Sequence, residues 1–193
     1  IIFLGAYNYI RSDEEIPNSN PLSIFVDFFY KQGTTFYTVC QGFEHEDYLR
    51  KQSNVISYTL GDIIDYVIHN TISQQIFGTE DLESGNSIKM VELSNSMAHR
   101  LSYIVLGEES YLSGHGRGTS YIIEVYMDAG MIGVAFYNLI LGMYLYSVIN
   151  LLKAKGFIPK YIVLSSLSQL FLLPRYSASG FISFLITPQF WII

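Results

Sequence analysis

Cysteine is all but missing. Cys40 stands alone among 193 residues, so the chain can close no internal disulfide and carries no trace of its redox compartment. Positive charge is also scarce. Eleven Lys/Arg against seventeen Asp/Glu give a net charge of −6, which argues against a nucleic-acid partner, since such partners reward a basic surface. Charge of either sign is thin, at 15% of residues, where soluble domains carry roughly 25%. His, Cys and carboxylates never fall at metal-ligand spacing, so no metal and no cofactor is expected. The GxGxxG nucleotide loop and the serine-hydrolase elbow are both missing. The chain has no initiator Met and no recognisable signal peptide, and it opens and closes inside apolar stretches (IIFLGAYNYI and FISFLITPQFWII). It therefore reads as a piece of a longer protein.

What is present is apolar and aromatic. Half of the residues are hydrophobic and sixteen are tyrosine, a side chain suited to boundaries with one wet and one apolar side. Charge is unevenly placed. Between Arg11 and Gly118 there are fifteen acids and seven bases, a net of −8; from Thr119 onward there are two acids and four bases. Gly130–Leu152 (GMIGVAFYNLILGMYLYSVINLL) holds 23 residues and no charge. As a helix it would reach about 34 Å, enough for a hydrocarbon core of about 30 Å. A buried core helix is the alternative, and 23 uncharged residues is long for one. Lys153, Lys155 and Lys160 follow, and lysines bordering a span favour the cytoplasmic side.

The expectation is an all-α, polytopic integral membrane unit with a large external loop containing amphipathic helices. Residues 1–10 read as the end of a span and 11–118 as the external loop. Residues 119–152 form a helix that includes the span 130–152, and 153–160 is a cytoplasmic loop. Residues 161–193 form either one kinked or two short membrane helices, divided around LPRYSASG. Within the loop, PLSIFVDFFYK (21–31) and residues 54–77 carry apolar residues on one side, the latter at helical intervals through Ile56, Leu60, Ile63, Ile64, Val67, Ile68 and Ile72.

Directly before the uncharged run lies LSGHGRGTSY. Glycines at 114, 116 and 118 free the backbone to curl closely around something, with His115 and Arg117 between them. Thr119 or Ser120 can cap the helix that follows, and a helix start beside a guanidinium suits an anion. A solvated turn is the plainer alternative. Glu124 and Asp128 are four apart and share one helix face, with Tyr121 above them. A carboxylate at that depth can take a proton from a sugar hydroxyl, or simply hold a neighbouring helix. Arg175 stands among apolar residues, where an arginine has an assigned partner or snorkels to headgroups; Arg11, after the first apolar stretch, has the same two readings, and Arg100, beside His99 in SMAHRLSY, is a third candidate.

These residues resemble a known family. LSNSMAHRLSYIVLGEESYLSGHGRGTSYIIEVYMDAGMIGVAFYNLILGMYLY, with its Gly118-Thr119-Ser120-Tyr121 turn leading into Glu124, Tyr126, Asp128, Gly130 and Gly133, is similar to the Wzy-type oligosaccharide repeat-unit polymerases of O-antigen and capsular polysaccharide synthesis. Pro174-Arg175 and FFYKQGTTFYTV look alike as well. The resemblance implies a multi-pass protein of the bacterial plasma (inner) membrane. Such an enzyme moves a growing glycan from one undecaprenyl-diphosphate carrier onto a lipid-linked repeat unit at the outer face, without metal or nucleotide. Implied partners are undecaprenyl-diphosphate-linked oligosaccharides, the bilayer and a chain-length regulator. Arg100, Arg175 and Arg11, with Arg117 and Tyr121, are the candidates for binding the diphosphate and glycan. Glu124 or Asp128, with His115 in reserve, is the candidate base. An O-antigen ligase-type transferase and a transporter or flippase component are the alternatives.

Overall fold

The computed structural model describes residues 36–187 apart from 84 and 154. The chain divides into two units, Ile1–Tyr37 and Thr38–Ile193, and all of the packing described belongs to the second. The expected features at 1–10, Arg11, 21–31 and 188–193 lie outside the described residues. Among the described residues the structure is all-helical, with no strand.

Helix α1 (36–44) leads into α2 (Glu46–Arg50), whose acidic first turn and terminal arginine both complement the helix dipole. Next come α3 (Gly61–Ile68) and α4 (Thr71–Phe77). Asn70 starts α4 by accepting the Ser73 N–H at 2.9 Å, and Gly78 at φ 66° ends it. Residues 54–77 are therefore not one helical run. Residues 54–60 form a turn, because Asn95 Oδ1 takes the Ile56 N–H at 2.7 Å and Asp128 takes those of Tyr58 and Thr59. Ser87 caps α5 (Ile88–Leu93), and α6 (Met97–Leu106) and α7 (Glu108–Leu112) meet at Gly107.

Helix α8 (Tyr121–Leu151) organises the rest. It breaks at Gly130, where φ 64° and ψ −164° lie in a region open essentially only to glycine. The two halves differ in character. Before the break, Ile123 and Met127 join Leu49, Tyr58, Met97 and Leu101 in the core. There α1 approaches so closely that a Cβ on Gly42 would overlap Ile123. After the break Met131 and Ile132 are 72% and 85% exposed. Only 6% of the helix's most apolar stretch is buried. A soluble core helix of such composition would be buried. This is the one described helix long and apolar enough to cross a membrane.

Helix α9 (Phe157–Leu172) packs on that exposed half, joined to it by a 2.7 Å hydrogen bond between the Tyr144 and Ser166 hydroxyls. Sixteen residues reach only about 24 Å, and Pro174 then turns the chain into a 3-10 turn, Leu173–Arg175. A non-helical loop separates this from the short helix α10 (Gly180–Ser183). Among the described residues, the apolar region after residue 160 is thus interrupted, with residues 176–179 between the 3-10 turn and α10.

Candidate active site

The half-helix before Gly130 carries three polar attachments. Glu124 is 2% exposed, and its Oε2 accepts the backbone N–H of Ala178 at 2.7 Å. Asp128, one turn on, is solvent-exposed but fully engaged. It accepts the Ser57 hydroxyl at 2.7 Å and the N–H groups of Tyr58 and Thr59 at 3.1 and 2.8 Å. Arg50 donates to the carbonyls of Met127 and Tyr126 at 2.8 and 3.2 Å. In an unbroken helix those carbonyls would serve the N–H groups of 131 and 130. Arg50 thus compensates the interruption at Gly130, held by Glu46 at 2.7 Å and placed over the Tyr126 ring.

The loop between α9 and α10 faces Glu124. Ser177, Ala178, Ser179 and Gly180 are all buried, and the Tyr137 hydroxyl donates to the Ala178 carbonyl at 2.5 Å. With Glu124 on its N–H and Tyr137 on its C=O, the Ala178 peptide is clamped from both sides. Helix α10 packs on α3, where burial pushes the Asp62 carboxyl above its ordinary value; the nearby Ser177 hydroxyl pulls it down and neighbouring Asp65 pushes it further up. Arg175 and Tyr176 are exposed at the rim of the loop. Three segments distant in sequence therefore converge on one carboxylate-lined loop with an arginine beside it. That assembly can bind an anion next to a proton acceptor.

Other expected residues stand apart. Arg100 is 1% exposed, and donates to Gln52 Oε1 at 3.0 Å and to the Glu92 and Ser94 carbonyls at 3.1 and 2.8 Å. Its Nε has no partner among the described residues. Burial lowers its proton affinity, against the pull of Tyr58, Tyr48, Asp65 and Glu92. Adjacent His99 is likewise pushed towards the neutral form, mainly by burial, with Nδ1 2.8 Å from the Tyr111 hydroxyl. His115 and Arg117 are exposed in the glycine turn. The His115 ring meets Ser113 Oγ at 2.9 Å, and Ser102 Oγ accepts the Arg117 N–H at 2.9 Å. Thr119 and Ser120 do not cap α8 as expected. Both hydroxyls are buried without a hydrogen-bond partner among the described residues. The Tyr121 hydroxyl donates to Asn138 at 3.1 Å, across the break.

Two cavities adjoin these clusters. One of about 220 Å³ is lined by Arg50, Gln52, Tyr58 and Asp128. The other, about 540 Å³, runs along α3 and α4 past Asp65, Tyr66, His69, Asn70, Gln74 and Asp81. Among the described residues no three His, Cys, Asp or Glu side chains gather as a metal centre would need.

Sequence alone does not single out Asp62, Arg50 or Gln52. Asp62 has a faint signal, since 62, 65, 66 and 69 form a polar stripe at helical spacing. Arg50 and Gln52 have none, because their partners lie in other segments.

No curated protein matches the chain, and no solved structure does. The family model for the O-antigen polysaccharide polymerase Wzy matches residues 1–193, the whole chain, and the protein belongs to that family.

Proposed function

We propose that the protein transfers a growing glycan from an undecaprenyl-diphosphate carrier onto a second lipid-linked repeat unit at the outer face of the inner membrane, without metal or nucleotide. Repeat-unit polymerisation is the family's activity, and its members are inner-membrane proteins acting on lipid-linked repeat units. The observation that carries the finer reading is the change of character at Gly130, from a buried half-helix holding Glu124 to an exposed apolar one. Met131–Leu151 would lie in lipid, with Lys153 and Lys155 at its cytoplasmic end. Ile56 and Leu60, exposed beside the turn that Asp128 holds, would then rest at headgroup level.

In this reading the carrier diphosphate is the leaving group. Arg175 and Arg117, both exposed, stabilise its growing charge. Arg11, outside the described residues, is a third candidate. Arg100, enclosed by its three acceptors, supports the fold beneath the site. Glu124 holds the Arg175 loop at the start of the span, and a carboxylate at that loop receives the acceptor's proton.

The test is polymerisation by the purified full-length protein in liposomes. Synthetic lipid-linked repeat units are supplied with EDTA and no nucleotide. A ladder of glycan lengths is expected. Product only after a nucleotide sugar or a divalent cation is added would contradict the proposal.

A further inference from the structure

Helix α3 is packed inside out. A surface helix ordinarily turns its apolar stripe to the core and its polar face to water. Here Gly61 and Asp65, four apart on one stripe, face the fold. A Cβ on Gly61 would lie 2.6 Å from the Asn95 carbonyl oxygen, and Asp65 accepts the Asn95 backbone and side-chain N–H groups at 2.9 and 2.7 Å. The opposite stripe, Leu60, Ile63 and Val67, is apolar, and Leu60 and Val67 are exposed. Helix α4 adds exposed Ile76 and Phe77, the latter at 77%. The two helices form one hairpin, because the Ser73 hydroxyl donates to the Val67 carbonyl at 2.6 Å and the Thr79 hydroxyl to that of Ile68 at 2.8 Å.

This apolar surface continues that of the span. The turn at Ser57, Tyr58 and Thr59 is fastened to Asp128 by three hydrogen bonds, just before the break at Gly130. Ile56 and Leu60 are exposed on either side of that turn, and Met131 and Ile132 are exposed just past the break. Apolar side chains therefore run from the start of the exposed half-helix onto α3. Charge narrows the chemistry of what covers them. Among the described residues from 53 to 78, no exposed residue is charged, and no Lys or Arg lies between Lys51 and Lys89. A charged partner would find nothing to pair with. Exposed Tyr66 beside an apolar stripe suits a boundary that is wet on one side and oily on the other.

We infer that the α3–α4 hairpin lies in the headgroup–acyl boundary of the outer leaflet, beside the point where α8 enters the membrane. Apolar contact holds it there, not attraction to anionic headgroups. This rests on the reading of Met131–Leu151 as a span. Helix α10 packs on α3, so the same contact sets the height of the loop that precedes α10 and carries Arg175. That height is where a lipid-borne diphosphate sits.

The test uses nitroxide labels on single cysteines of the full-length protein, in a Cys40→Ser background, reconstituted in liposomes. Collisions with oxygen, which partitions into lipid, and with a neutral water-soluble nickel chelate report where each label sits. Labels on Val67→Cys and Phe77→Cys should favour oxygen and lie about 5–10 Å below the headgroup surface. A label on Phe136→Cys, beyond the break, should lie deeper, and one on the exposed Glu109→Cys should meet the chelate. Replacing anionic with zwitterionic lipid should leave the Val67 and Phe77 depths unchanged. Labels there that meet the chelate as Glu109 does would overturn the inference, because the hairpin then faces water. Labels shielded from both reagents would overturn it as well, since another protein segment then covers the patch. So would a depth that disappears without anionic lipid. In each of these cases a Phe136 label closed to the chelate leaves the span standing. A Phe136 label open to the chelate would defeat the span itself, and this inference with it.

Discussion

Arg100→Ala is expected to lower the melting temperature of the purified protein by about 6–12 °C, using roughly 2–4 °C per kcal/mol for a chain of this size. The guanidinium is enclosed, and truncation removes the donor to three acceptors at once: the buried Ser94 carbonyl, Gln52 Oε1, and the Glu92 carbonyl, which keeps only Asn54 Nδ2 at 3.4 Å. Each buried acceptor left without a donor costs about 1–3 kcal/mol. Part of this is offset, because the variant no longer buries a charge that lacks an ion-pair partner among the described residues. A net loss of about 3 kcal/mol remains after that offset. Arg100→Lys should recover little of it, since one ammonium cannot span acceptors on two sides of the site. Thermal unfolding followed in detergent checks both variants. An unchanged melting point for Arg100→Ala would show that the guanidinium does not hold the 92–94 corner to Gln52.

Glu124 should show the larger effect on activity and a telling asymmetry between substitutions. Glu124→Ala leaves the buried Ala178 N–H without an acceptor, at about 1–3 kcal/mol, and frees the loop that bears Arg175. A shift of about 1 Å in a positioned group can cost about 10²-fold in rate, so polymerisation should fall at least that far. Glu124→Gln keeps an oxygen for the same N–H. Its rate should stay within about fivefold of wild type, as expected of a positioning group that transfers no proton. If Glu124 were instead the base, glutamine would be as inactive as alanine. The readout is the initial rate of chain elongation on lipid-linked repeat units for the three proteins side by side.

Much of the helical layout can be read from the amino acids because its causes are local. The uncharged run after Ala129 and the lysines that close it are visible without partners, whereas the break at Gly130 within the expected continuous helix is not. The site is harder to read because its causes are distant. Glu124 and Asp128 look equivalent at i and i+4, yet one meets a peptide 54 residues away and the other a turn about 70 residues away. Apart from the Ser57 hydroxyl, those partners are backbone N–H groups, which every residue but proline carries and no motif marks. Arg100 sits in MAHRLSY, a context that suits a surface cation as well as a buried one. Its burial follows from how the end of α5 folds over it. The apolar spacing through 54–77 suggests continuous helix, but three hydrogen bonds to Asp128 and one to Asn95 turn its first seven residues aside.

The proposed site requires that Met131–Leu151 cross the inner membrane, with the Glu124 cluster and the glycine turn outside the cytoplasm. Thiol accessibility tests this most directly. In a Cys40→Ser background, which removes the exposed native thiol, Ser113→Cys is placed on the turn beside His115 and Lys155→Cys beyond the helix end. A thiol reagent that cannot cross the inner membrane should label Ser113→Cys in intact cells and Lys155→Cys only after lysis. Labelling of Lys155→Cys alone in intact cells, or equal protection of both positions until lysis, would contradict that orientation and the polymerase site built on it.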